Sequence, residues 1–166
     1  MEASILNASN PNHSGGSATR TGDGVLSNSS FSSVFGASSL TQYTIYLEVK
    51  NANDTNNSVT IISKGNNDQG RINLLGGTSL VYYSTATGYT TGNNIVDGNT
   101  HKYLLSANNG TIKQFFDGSL IDTNTNALDE LTNISIGGSP KDLNVVQYLL
   151  FPEALSDADC ISLTTL

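Results

Sequence analysis

The chain has 166 residues, enough for one domain with a hydrophobic core and too few for two comfortable ones. Its 7 Lys and Arg stand against 14 Asp and Glu, a formal net charge of -7, so it lacks a basic surface to neutralise phosphates, which argues against nucleic acid as a partner. Only 13% of residues are charged, and Asn, Ser, Thr and Gly fill the polar positions, as expected for an all-β chain of many turns and solvated strand faces.

Residues 1–40 form a Ser/Asn/Gly-rich N-terminal segment in which, over 7–39, only Val25, Leu26, Phe31, Val34 and Phe35 are able to anchor the chain, with Ile5 and Leu6 before them. It is expected to be either the first strand of the domain or an assembly arm. MEASILNASN lacks the basic start and long apolar stretch of a signal peptide, and no apolar run approaches the roughly 18 residues of a membrane span, so the chain reads as soluble and unprocessed, without membrane insertion. Its single cysteine, Cys160, rules out an internal disulfide framework and is expected to be buried as a small hydrophobe.

From residue 43 the pattern turns to strands. In YTIYLEVK, Ile45, Leu47 and Val49 alternate with Thr44, Tyr46, Glu48 and Lys50, which predicts one buried and one polar face. SVTIISK (58–64), RINLL (71–75) and SLVYYS (79–84) follow as strands, and TATGYTTGNN as a longer loop. HKYLLSAN (101–108), the turn Asn109-Gly110 and TIKQFF (111–116) make a hairpin. Asp117-Gly118 then reverses the chain into SLIDT, because a two-residue type I′ turn needs positive φ at both positions. That turn is expected to keep Phe116 and Leu120 facing the core, with Asp122 on the polar face of the next strand. ISIGG (134–138) and NVVQYLLF (144–151) close the strands, Pro152 ends the last, and Ser156-Asp157-Ala158-Asp159 has the form of a capping box opening a short helix over Cys160 and Leu163. Short strands joined by turns predict a two-sheet antiparallel jelly-roll sandwich with a short C-terminal helix.

The order of these pieces resembles the laminin G-like, concanavalin A-like jelly-roll family. There a strand of the form FTIEFWVK is followed by a strand ending in SKG, a WHHVALTYDGGTLRLYVDG hairpin, an IGG strand and a final DEVRIYNRALSDAE strand and helix. The matching segments are Tyr43 to Lys50, Ile61 to Gly65, His101 to Gly118, Ile134 to Gly138 and Val145 to Asp159, which places the jelly-roll domain at 41–166. The family's Trp positions are absent, and Val145-Val146-Gln147 replaces the acidic pair that commonly enters the last strand. A structural calcium of the family's kind is therefore matched by no motif; Asp23, Asp68, Asp97 and Asp142 are oxygen donors among which no spacing selects, and no other cofactor is implied.

The same fold carries glycoside hydrolases, which need two carboxylates about 5 to 9 Å apart. Relatives place them in a Glu-x-Asp-x-x-Glu run, and none of Glu2, Glu48, Glu130 and Glu153 begins one. Glu48 reads as a solvated strand residue. His13 and His101 have no triad or metal-site motif around them, and His101 matches a family position that is structural. Gly76-Gly77 and Gly137-Gly138 are not phosphate cradles, because no helix follows them. Catalysis is thus not expected. For a glycan, VYYSTATGYTTGNN supplies Tyr82, Tyr83 and Tyr89 to stack on a sugar ring and Asn93 and Asn94 for its hydroxyls.

The leading expectation is a non-catalytic virion or surface module, of phage fibre or decoration type, that assembles with copies of itself or other proteins and recognises surface glycans. It would sit on a virion or extracellular surface. The alternative is a soluble carbohydrate-binding, lectin-like domain; a glycoside hydrolase of the same fold is disfavoured.

Overall fold

The computed structural model describes residues 39–50, 59–63, 71–75, 80–85, 88–89, 93–95, 97–125, 130–131, 135–136 and 144–166. The expectations for residues 1–38, the loop NANDTNN (51–57), the turn GNNDQG (65–70), Gly76-Gly77 and Gly137-Gly138 lie outside them. Among the described residues there are eleven strands and one helix: β1 (Gln42–Lys50), β2 (Val59–Ser63), β3 (Arg71–Leu75), β4 (Leu80–Thr85), β5 (Gly88–Tyr89), β6 (Asn93–Asn94), β7 (Thr100–Asn108), β8 (Thr111–Phe116), β9 (Ser119–Asn124), β10 (Ser135–Ile136), β11 (Asn144–Phe151) and α1 (Asp157–Thr164). Among the described residues no helix is long and apolar enough to cross a membrane.

The strands form two antiparallel sheets, one of five strands in the order β11-β1-β7-β8-β9 and one in the order β10-β2-β3-β4-β5, with β6 also paired to β4. Together they make the all-β jelly-roll sandwich that the strand pattern predicts. Both hairpin turns in the β7–β9 meander have the expected geometry: φ is 46° at Asn109 and 90° at Gly110, then 44° at Asp117 and 81° at Gly118.

The sandwich core lies on one face of the five-stranded sheet. Pairing sets Ile45 opposite both Leu105 and Leu150, and Leu47 opposite Tyr103 and Tyr148. All of these are buried, as are Val49, Ala107, Ile112 and Phe116 on the same face and Ile72 in β3. Fully burying each such side chain contributes about 1.5–3 kcal/mol.

The reverse face is not the polar surface that alternation in β1 predicts, since Thr44 and Tyr46 are buried too. Helix α1 is the cause. Tyr46, Leu104, Phe115, Leu149 and Phe151 pack in one cluster with Leu155 and Cys160, and Leu163 lies against it. The Thr44 hydroxyl donates to the Glu153 carbonyl (2.9 Å) and accepts from the Leu155 amide (3.0 Å), fastening the approach to the helix onto β1. Strand β11 stops at Phe151 because Pro152 has no N–H to continue a ladder. Ser156 is the N-cap: its Oγ accepts from the Asp159 amide and donates to Asp159 Oδ2 (2.6 Å). Cys160 is buried as expected, and burial, then the charges of Asp157 and Asp159, push its thiol up to about 11.

One expectation fails in β9. The two-residue turn sets Phe116 opposite Ser119 and Phe115 opposite Leu120, which puts Leu120 on the α1 face, and a bulge beyond that pair sets Gln114 opposite Asp122. Ile121 is the extra residue, so Leu120 and Asp122, two apart in sequence, fall on opposite faces. Leu120 is 45% exposed rather than in the core, and Asp122 joins the core-side row of Gln114 and Leu105 instead of a polar face.

Candidate functional site

The predicted glycan residues come together along one edge of the second sheet. Strands β5 and β6 occupy the stretch expected to be loop, and both pair with β4, Tyr89 opposite Ser84, Asn93 opposite Val81 and Asn94 opposite Leu80. On its other side β4 pairs with β3, Tyr82 opposite Asn73, Tyr83 opposite Ile72 and Ser84 opposite Arg71. Directly paired residues share a face and successive residues alternate. The register therefore divides the five candidates. Tyr83 and Asn93 are at positions on the face of the buried Ile72, whereas Tyr82, Tyr89 and Asn94 are at positions on the other face, with Arg71 and Asn73. Arg71, Ser84 and Tyr89 form one continuous cross-strand row. Sequence reading passed over Arg71 and Asn73 because they are on another strand, and only the β3–β4 pairing brings them in.

A second polar cluster surrounds His101 at the start of β7. Its Nδ1 lies 2.6 Å from Asp117 Oδ2 and its Nε2 2.9 Å from Asp97 Oδ1. The ring is stacked on Phe116, centroids 5.1 Å apart. Asp117 Oδ1 also accepts from the Lys102 amide (2.8 Å), while the two oxygens of Asp97 accept from the backbone and side chain of Asn99, each at 2.8 Å. The hydrogen bonds from Asn99 and His101 hold the Asp97 carboxyl down at about 2. Burial opposes charge on His101, but the hydrogen bonds and charges of Asp117 and Asp97 outweigh it and raise its pKa above 6.5. Sequence reading took Asp117 for a turn former only and Asp97 for a free oxygen donor; the fold hands both to His101.

Glu48 and Asp122 are similarly engaged. Glu48 Oε2 accepts from the Tyr46 hydroxyl (3.1 Å), and Gln147 and Lys102 are its cross-strand neighbours. Asp122 Oδ2 accepts from Gln114 Nε2 (3.5 Å), and Gln114 Oε1 accepts from the buried Tyr103 hydroxyl. Burial, then the charge of Asp122, drives the Tyr103 phenol well above its ordinary value. Among the described residues no three His, Cys, Asp or Glu side chains are grouped to hold a metal ion. Asp23, Asp68 and Asp142 lie outside those residues.

No protein-family model matches this chain, and no curated protein matches it in sequence. Solved structures do match in fold. The CBM40 domain of the Ruminococcus gnavus IT-sialidase, bound to α2,6 sialyllactose, is similar over 76% of this chain and 85% of its own, with a TM-score of 0.54 and 16% identity. Botulinum neurotoxin type C, whose cell entry depends on two ganglioside molecules, is similar over 74% of this chain with a TM-score of 0.55 and 14% identity. The Trypanosoma rangeli sialidase gives a TM-score of 0.59 at 11% identity over 74% of this chain. This chain spans only 35% of the neurotoxin chain and 22% of the sialidase chain. At such identities the likeness is one of fold, a β-sandwich.

Proposed function

We propose that the chain is a non-catalytic, lectin-like module that binds surface glycans along the β4–β5–β6 edge. The observation that best supports this is the register that gathers the positions of Tyr82, Tyr89 and Asn94 on one sheet face with Arg71 and Asn73. Aromatic rings stack on sugar rings, Asn amides pair with sugar hydroxyls, and a guanidinium pairs with the carboxylate of an acidic sugar. The likeness of fold to a domain bound to α2,6 sialyllactose makes sialylated glycans the first ligands to try. The hydrogen bonds that occupy Glu48 and Asp122 support a binding role over a hydrolytic one. Assembly into a virion has composition alone behind it, whereas glycan binding has the fold and the edge.

A glycan array probed with the purified protein tests this. Binding is expected, with Tyr89→Ala weakening every ligand about tenfold, or about 1.4 kcal/mol, and Arg71→Ala weakening only the acidic ones. An array without binding, or binding indifferent to Tyr89→Ala, would sink the proposed site.

A further inference from the structure

His101 faces two groups that, when ionised, only accept hydrogen bonds, and it lies within hydrogen-bond distance of both, 2.6 Å from Asp117 and 2.9 Å from Asp97. A neutral imidazole has one N–H and one lone pair, so it satisfies one carboxylate and turns its lone pair on the other. Both contacts hold at once only for the imidazolium. We propose that His101 is a pH-operated pin: protonated, it fastens the 97–99 loop through Asp97 to the β8–β9 turn through Asp117, and on losing its proton it releases the loop.

The surroundings decide which contact opens. The Asp117 side chain is 19% exposed and is held by the Lys102 amide, and its own amide donates to the Lys102 carbonyl (3.0 Å). Asp97 is 45% exposed and, among the described residues, otherwise bonds only to Asn99 within its own loop. The Asp97 contact is the weaker anchor, and it opens. Other elements place no competing charge on the ring among the described residues. The apolar Val49 lies opposite on β1, Phe116 stacks on it from β8, and the Lys102 ammonium is engaged elsewhere, donating to the Thr165 carbonyl (2.6 Å).

The sign follows from the two shifts. His101 is raised in the folded protein, so its contribution is complete below about pH 6.5 and is lost as pH rises through its folded value. Asp97 is lowered, so its contribution is present above about 3.8 and lost as pH falls towards 2. The pin is therefore closed between about pH 4 and 6.5, and opens on the alkaline side. Nothing in this depends on what the protein binds.

The test is an NMR pH titration of the full chain carrying His13→Gln, which leaves His101 the sole histidine. The expected result is two ring N–H groups below a midpoint above 6.5, with the amide of Asn99 following that midpoint and the amide of Lys102 indifferent to it. In Asp97→Asn the amide can donate to a neutral ring, so the midpoint drops by about one pH unit and the Asn99 signal stops following it. Titration of His101 at or below 6.5, or an Asn99 amide that ignores its titration, would overturn the pin.

Discussion

Two buried tyrosine hydroxyls on the core face of the five-stranded sheet have opposite circumstances. The Tyr103 hydroxyl donates to Gln114, which reaches Asp122 at the sheet edge, so a polar chain crosses the apolar layer with its members paired. The Tyr148 hydroxyl is buried and finds no hydrogen-bond partner among the described residues, and burial drives its phenol well above the ordinary value. A buried polar group without a partner costs about 1–3 kcal/mol, whereas removing one member of a pair strands the other. Tyr148→Phe is therefore expected to leave stability unchanged or raise it by up to about 1 kcal/mol, and Tyr103→Phe to lower it by about 1–2 kcal/mol. Urea unfolding of both variants checks the contrast; equal losses would mean that the Tyr148 hydroxyl is satisfied. The sequence marks Tyr103 and Tyr148 as strand residues but not this difference, because what separates them is Gln114 on a neighbouring strand.

At the scale of elements, what the sequence makes legible is local chemistry. Asn109-Gly110 and Asp117-Gly118 announce their turns because few other pairs accept positive φ twice in succession, and Ser156 with Asp159 announces α1 through its cap. What depends on a partner is hidden. The bulge that turns Asp122 to the core-side row is defined by the pairing of β9 with β8, and the burial of Tyr46 by a helix more than a hundred positions away. Gly118 belongs to both categories. Its φ of 81° suits the turn, its amide donates to Thr164 Oγ1 (3.2 Å), and a Cβ there would stand 3.1 Å from Thr165 Oγ1 at the end of α1. Gly118→Ala is thus expected to cost about 1–2 kcal/mol from backbone strain alone and to loosen the helix terminus. The check is a lower denaturation midpoint at unchanged m-value; an unmoved midpoint would show that neither the turn nor the helix contact constrains this position.

For the whole molecule, burial divides the labour between the sheets. The five-stranded sheet is covered on both faces, by the sandwich core on one and by α1 on the other, and Lys113 bridging to Asp157 (2.7 Å) adds the small increment of a surface ion pair. The second sheet places the aromatic and amide positions at its β4–β5–β6 edge, which is where the composition of residues 82–94 suggested a sugar would bind. Composition named the residues; only strand pairing separates Tyr82 and Tyr89 from Tyr83 and adds Arg71. The most direct test of glycan recognition is a titration of the isotope-labelled protein with α2,6 sialyllactose, followed by NMR. Saturable shifts are expected, confined to the amides of β3 to β6, Arg71, Tyr82 and Tyr89 foremost. Silence at millimolar sugar, or shifts centred on β9 and α1, would contradict it.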